Sequence, residues 1–429
     1  MSEGVDTVGL DSPPRLAVDG LLDDPGTRII VCCGAGGVGK TTTAAALGVR
    51  AAERGRKAVV LTIDPARRLA QSMGIDSLDN TPREVGGVGA GGGALHAMML
   101  DMKRTFDEIV EAHADAERAR AILANPFYQS LSAGFAGTQE YMAMEKLGQL
   151  RARDDWDLII VDTPPSRSAL DFLDAPKRLG SFLDGKFIRV LMAPAKVGGR
   201  AGMKFLNVGM SIMTGTLSKL MGASLLKDVQ TFVAAMDTMF GGFRTRADAT
   251  FRLLQAPGTA FLVVAAPEPD ALREAAYFVE RLAAEKMPLA GLVLNRVHGS
   301  GADQLSAERA LAAAENLEDG GIVDHASGKA GLRDPADDGS PDTGDGSRNG
   351  SGDPSDHSAV VDEITAGLLR LHAERMQVIA REQRTRDRFT SLHPEVAVAE
   401  VAALPGDVHD LAGLRAIGER LAAGVPAGA

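Results

Sequence analysis

The chain has 429 residues and a formal net charge of −11, and 45% of its residues are apolar. That apolar content supports a sizeable folded core, and the acidic balance excludes a surface built to coat nucleic acid. The two cysteines, Cys32 and Cys33, are adjacent; neighbours in a strand point to opposite faces, so they do not bridge each other, and such sparse usage fits a reducing, cytoplasmic setting.

In chain order, residues 1–26 are rich in Asp, Gly and Pro and read as a flexible lead. They carry neither the basic start nor the apolar segment of a signal peptide. No stretch approaches the roughly 20 apolar residues that span a bilayer, so stable membrane insertion is not expected. Then come short apolar runs separated by helical stretches: RIIVCC (28–33), KAVVLTI (57–63), LHAMML (95–100), WDLIIVD (156–162), TAFLVVAA (259–266), AGLVLNRV (290–297) and VAVAEVAAL (396–404). Most lack period-two alternation, as strands buried on both faces do. Strands alternating with helices predict an α/β fold with a doubly wound, mostly parallel sheet.

Some segments break this rhythm. A glycine cluster, GGVGAGGG (86–93), reads as a plain flexible connection. Residues 190–245 are long, helical and rich in methionine, and read as an inserted α-helical subdomain. Residues 299–357 have a middle of Gly, Ser, Asp and Pro that cannot bury enough apolar area to offset ordering entropy, and read as a largely disordered acidic insertion, with a possible helix at LSAERALAAAENL. Residues 27–298 and 358–424 then make one domain. The eight histidines are scattered and no C-x-x-C occurs, so no zinc site of the usual spacing is present.

The most informative stretch is GAGGVGKTT, comprising Gly34, Ala35, Gly36, Gly37, Val38, Gly39, Lys40, Thr41 and Thr42. Residues 34–41 satisfy G-x-x-x-x-G-K-[ST] between a buried strand and a helix, the context that gives this motif its meaning. Phosphate oxygens need several backbone N–H groups converging on one point, which demands dihedrals that glycine tolerates. The helix start adds its positive dipole end. Lys40 would reach the β- and γ-phosphates, and the Thr41 hydroxyl would ligate Mg2+.

Such a site also needs a carboxylate at the end of a neighbouring strand. Asp162, closing WDLIIVD before TPPS, takes the Walker B position as a metal ligand, directly or through water. Asp64, closing KAVVLTI, would orient or deprotonate the attacking water.

Together, GAGGVGKTTTAAALG, TIDPARRLAQSMG, WDLIIVDTPPSRSALDFL, GLVLNRV and ALPGDVHDLAGLR resemble the arsenical-pump ATPase family, which includes the ATPases that target tail-anchored membrane proteins. The resemblance runs from about 28 to 421, apart from the insertion. It implies ATP and Mg2+ as cofactors, a deviant Walker A loop at 34–42, Asp64 as the switch I aspartate that acts on water, residues 162–168 as switch II, and Asn295 as the asparagine that reads adenine. An amide has both a donor and an acceptor and can pair with the adenine edge. Residues 404–408, including Pro405, match the family's adenine-side loop.

The departures are as informative as the matches. The family loop usually begins Gly-Lys-Gly-Gly, and its lysine crosses a dimer interface to the other subunit's phosphates; here Ala35 stands in that place. Either a lysine-bearing paralogue completes a heterodimer, or Arg67, Arg68 or Arg167 substitutes within a homodimer. The family's arsenite-binding cysteines and its zinc-bridging C-x-x-C are absent. In the Met-rich segment, Leu206, Met210, Met213, Leu217 and Met221 form one apolar face, continued by Leu225, Val229, Phe232, Met236, Met239 and Phe243. Methionine suits surfaces that accept varied apolar shapes. The resemblance makes this face a groove for a transmembrane-segment-like client; packing against the body of the protein is the alternative. Met142 and Met144 belong either to the same face or to the core. The expectation is therefore an ATP-hydrolysing, cytoplasmic P-loop ATPase whose dimer handles an apolar client. A weakly hydrolysing regulatory subunit and the engine of an anion pump are the alternatives.

Overall fold

The computed structural model describes residues 13–63, 68–89, 91–126, 128–129, 132, 138–164, 242, 245–327 and 354–423. The Met-rich segment 190–240, together with Asp64, Arg67 and Arg167, lies outside the described residues.

The sheet has eight strands: β1 (Ile29–Cys33), β2 (Lys57–Thr62), β3 (Arg83–Glu84), β4 (Ala94–Met99), β5 (Leu158–Asp162), β6 (Thr259–Ala265), β7 (Leu289–Val297) and β8 (Val398–Ala402). Their order across the sheet is β3-β4-β2-β5-β1-β6-β7-β8. All pairings are parallel except β3 with β4, so the doubly wound reading holds. Every apolar run named above became a strand. The short β3 has no apolar signature and exists as an edge pairing. The glycine cluster connects β3 to β4 and lies against the C-terminal turn of the helix after β1.

Buried strands alternate their side chains between two apolar layers. Ile30, Cys32, Val60, Ile160, Leu262 and Val293 face one layer; Ile29, Cys33, Leu61, Ile159, Val263 and Leu292 face the other. Cys32 and Cys33 thus point to opposite sides of the sheet, as free, buried thiols. The first layer is covered by α1 (Val18–Asp23), α2 (Lys40–Glu53) and α10 (Leu411–Ala423). The second is covered by α4 (Met102–His113), α5 (Ala116–Leu123), α6 (Thr138–Arg153) and α7 (Pro269–Ala284). Met142 and Met144, on α6, are core residues of this second layer and line no surface groove. A short helix, α3 (Arg68–Ser72), follows β2.

Two stretches differ from the composition-based reading. The lead is folded from residue 13 onward: Leu16, Val18 and Leu22 are buried, and Leu16 N–H donates to Val398 O on β8. Burying Val18 and Leu22 stabilises by about 2 kcal/mol each. The aspartates that gave this stretch its loop-like look are ion-pair partners, Asp19 for Arg50 and Asp23 for Arg54. The acidic insertion begins with a helix longer than its sequence flank, α8 (Ala307–Ser327), and is followed by a 39-residue helix, α9 (Pro354–Leu392), packed on α8. The Gly/Ser/Asp/Pro middle, 328–353, lies outside the described residues.

Candidate functional site: the glycine loop at the strand ends

β1 ends at Cys33, and the chain turns at once into the glycine loop. Gly34 has φ 146°, and a Cβ there would sit 2.0 Å from Val264 O on β6, so only glycine lets the loop leave the sheet this close to its neighbour. Gly36 and Gly37 form the exposed crest, while Ala35 and Val38 are buried. Gly39 caps α2 in the left-handed region, φ 97°, and a Cβ there would meet Asn295 Nδ2 at 2.2 Å. The first turn of α2 holds no acidic residue, so its positive end has no compensating carboxylate within the helix itself and suits an anion.

Lys40 is buried, and its Nζ donates to Ala35 O at 2.7 Å. The lysine therefore bends back along the loop and holds its charge against the loop backbone. Thr42 is half-buried in the same turn, and Thr41 faces the strand ends.

Asp162 is the last residue of β5, in register with Cys32 of β1 on one side and Thr62 of β2 on the other. It is fully buried. Its Oδ2 accepts from Thr41 Oγ1 at 2.7 Å and from Thr62 Oγ1 at 2.9 Å. Thr163 Oγ1 donates to Cys32 O at 2.8 Å, fixing the chain as it leaves β5. Sequence reasoning missed Thr62 and Thr163; a lone hydroxyl closing an otherwise apolar buried strand is the signal that could have found Thr62. Gln139 Nε2 donates to Ile63 O at 2.9 Å, pinning the end of β2 immediately before Asp64.

A hydroxyl and a carboxylate oxygen from two elements, this close together, form a donor set that suits a hard, oxygen-seeking ion such as Mg2+. The nearby thiols do not compete. Burial, with the Asp162 carboxylate adding to it, pushes Cys32 well above the ordinary thiol range, and burial pushes Cys33 up to about 12.

Asn295 reaches the site from β7 through a β-bulge. Asn295 pairs with Val401 of β8 and Val297 with Ala402, which leaves Arg296 as the extra residue, at φ 62°. The bulge keeps Val297 on the second core layer, while Asn295 stays on the α2 side and its Nδ2 donates to Val38 O at 2.8 Å. Pro405 is exposed in the loop after β8, flanked by Leu404 and Val408, which pack on the first layer. That loop emerges beside the end of β7, with Ala403 N–H donating to Val297 O at 2.9 Å. The structure thus brings residues 34–42, Asp162 and Asn295 together at the C-terminal ends of the interior strands β1, β5 and β7, with the Pro405 loop beside them.

A parallel sheet whose first strand feeds a glycine loop and a lysine-led helix, with a buried carboxylate tied to the following threonine, defines a P-loop nucleotide-binding protein. More narrowly, residues 27–315 match the family described as anion-transporting ATPase, and the chain belongs to that family. It is an ATPase by class. Similar proteins include an ATPase GET3 of Malassezia globosa, 31% identical over 40% of this chain and 49% of its own length. An ATPase GET3 of Podospora anserina is 25% identical over 70% of this chain and 83% of its own. A putative arsenical pump-driving ATPase of Halobacterium salinarum is 28% identical over 40% of this chain and 27% of its own. The chain therefore spans about half of the first relative's length and most of the second's. Among the described residues, no helix is long and apolar enough to cross a membrane.

Proposed function

We propose that this chain is a cytosolic Mg·ATP-dependent ATPase whose nucleotide-driven switching between paired subunits handles an apolar client or a membrane-associated partner. The observation that carries the reading is the convergence of Thr41 and Thr62 on Asp162 directly beside the loop that holds Lys40. In this reading the loop N–H groups and the start of α2 bind the phosphates, Lys40 neutralises their charge, and Thr41 and Asp162 hold Mg2+. Bound there, the ion would offset negative charge that develops on the phosphate oxygens. Asp64 orients the attacking water, and Asn295, with the Pro405 loop, receives the adenine. Coupling follows because the segments after β2 and β5 both begin at the site, where loss of the terminal phosphate changes what they touch.

The client reading is tested by measuring binding of a fluorescent apolar probe or a hydrophobic peptide with ATP, with ADP and without nucleotide. Tight binding in only one state supports nucleotide gating, and equal binding in all three ends it.

Ala35 favours a second reading, a weakly hydrolysing regulatory subunit paired with a lysine-bearing paralogue. Alanine delivers no charge to a partner's phosphates, and a cation supplied in trans is worth roughly 10³–10⁵ in rate. Slow turnover alone, raised by such a paralogue, supports the heterodimer; full-speed turnover of this chain alone contradicts it. An arsenite pump engine is disfavoured, because both cysteines are buried in β1 and held as thiols.

A further inference from the structure

On the opposite face of β7 from Asn295 lies a cavity that the nucleotide site does not use. β7 presents Asn295 on its α2 side and Leu294 and Val297 on the other; those two, with Met376 and Ile379 of α9, give the cavity apolar walls. Its volume is about 490 Å3, within the roughly 300–1,000 Å3 of small-molecule sites. The loop after β7 closes one side and is pinned to α9 twice. Glu382 accepts from the His298 backbone N–H at 3.0 Å and from the His298 ring Nδ1 at 2.6 Å, and Arg375 Nε donates to Gly299 O at 2.6 Å. The walls are therefore held in place by the chain's own contacts.

The polar groups of the cavity are rich in acceptors and short of free donors. Three carboxylates, Asp303, Glu382 and Glu400, line it against a single guanidinium, Arg386. That guanidinium is already committed: its Nη1 donates to Glu400 Oε1 at 2.8 Å, and Asp387 lies beside its other nitrogens. With Nδ1–H given to Glu382, the neutral His298 ring has only an acceptor, Nε2, left. Asp303 is exposed and forms no ion pair among the described residues. Glu400 stands in register with Leu294, and its Oε2 is buried with no hydrogen-bond partner among the described residues. A buried carboxylate oxygen without a donor is costly and calls for one. We propose that the cavity is a second binding site, distinct from the nucleotide site, for a small organic cation. An apolar body fills the space against Leu294, Val297 and Met376. A primary ammonium supplies the donor that Glu400 lacks, reached by a small turn of its carboxylate, and offsets the acidic excess. The same excess repels an anion. A bare metal ion is not served, because no group of three metal-ligating side chains converges among the described residues.

The test reads the Met376 methyl group, in the cavity wall, by NMR of the full-length chain carrying carbon-13 in its methionine methyls, with the signal assigned through Met376→Leu. The probes are tryptamine and hexylamine, their neutral counterparts tryptophol and hexanol, and the anion indole-3-acetate. The expected result is a saturable shift of the Met376 signal by at least one amine, at least tenfold tighter than by the matching alcohol, with none from indole-3-acetate. Glu400→Gln keeps an acceptor for Arg386 and should weaken amine binding at least fivefold. Asp303→Asn, at an exposed position where folding is not at stake, should weaken it at least twofold. No saturable shift with either amine overturns the proposal, as does an alcohol that binds as tightly as its amine, tighter binding of indole-3-acetate, or parent-like binding in both variants. The titration is run without nucleotide, so its outcome is distinguishable from failure of the ATPase reading. Displacement of the amine by added Mg·ATP would place it in the nucleotide site and also overturns the proposal.

Discussion

Thr41 Oγ1 donates to Asp162 Oδ2 at 2.7 Å, tying the first turn of α2 to the end of β5. The tie joins the element that would grip phosphate to the strand from which the next segment departs. Asp162→Asn keeps an acceptor for Thr41 and Thr62 but removes the negative charge. ATP turnover should fall by about 10²–10³, the scale of losing one charged group at a reacting centre, and Mg2+ should no longer tighten nucleotide binding. Steady-state hydrolysis with paired affinity measurements, with and without Mg2+, checks this; turnover within twofold of the parent contradicts it.

Backbone geometry at Gly34 and Gly39 gives a second expectation. Both sit at positive φ with no room for a side chain, against Val264 O and Asn295 Nδ2 respectively. Gly34→Ala forces the loop away from β6 and should cost about 2–4 kcal/mol of stability, read by urea unfolding. Gly39→Ala meets a side-chain amide that can move, so it should cost less stability and weaken nucleotide binding more.

At Asn295 the amide identity is what counts. Asn295→Asp replaces the donor to Val38 O with an acceptor and should destabilise by about 1–3 kcal/mol. Asn295→Ala removes the bond without repulsion. In both variants the preference for ATP over GTP should shrink, measured by competitive displacement of a labelled nucleotide; an unchanged preference removes Asn295 from base reading.

Cys33, pushed up to about 12 by burial, and Cys32, pushed well above the ordinary range, should both resist maleimide at pH 8 in the folded protein. Labelling should appear with the same denaturant midpoint as global unfolding. Fast labelling without denaturant would show β1 opening locally.

The α1–α2 clamp predicts an acid-side weakening. Arg50 donates twice to Asp19, and this hydrogen bonding holds the Asp19 carboxyl below the usual carboxylate range. A folded pKa lowered in this way adds stability that is complete above the unfolded value near 4 and disappears as pH falls through the folded value. The pair is partly exposed, so the contribution is below about 1 kcal/mol. Asp19→Asn should lower the melting temperature at pH 7 and leave it nearly unchanged at the acid end of the folded range.

The strands were legible because each is buried on both faces and reads as an unbroken apolar run, and the phosphate loop because its chemistry dictates its composition. β3 was invisible, since a two-residue edge pairing needs no apolar side chains. The lead was misread because Asp19, Asp23 and Pro14 look like loop residues until Arg50, Arg54 and the edge of β8 are in view. Helix α9 left a signal in its three-and-four spacing, overshadowed by the low-complexity run before it. Thr62 closes the triangle on Asp162, but only register across β2, β5 and β1 reveals it.

The most direct measurement is calorimetric titration of Mg·ATP into the folded chain, beside a Lys40→Ala control that lacks the ammonium now bonded to Ala35 O. Saturable heat at one nucleotide per chain, lost or weakened at least tenfold in Lys40→Ala, is the expected result. Well-folded material that gives no heat, or the same heat with and without Lys40, would contradict nucleotide binding at this loop.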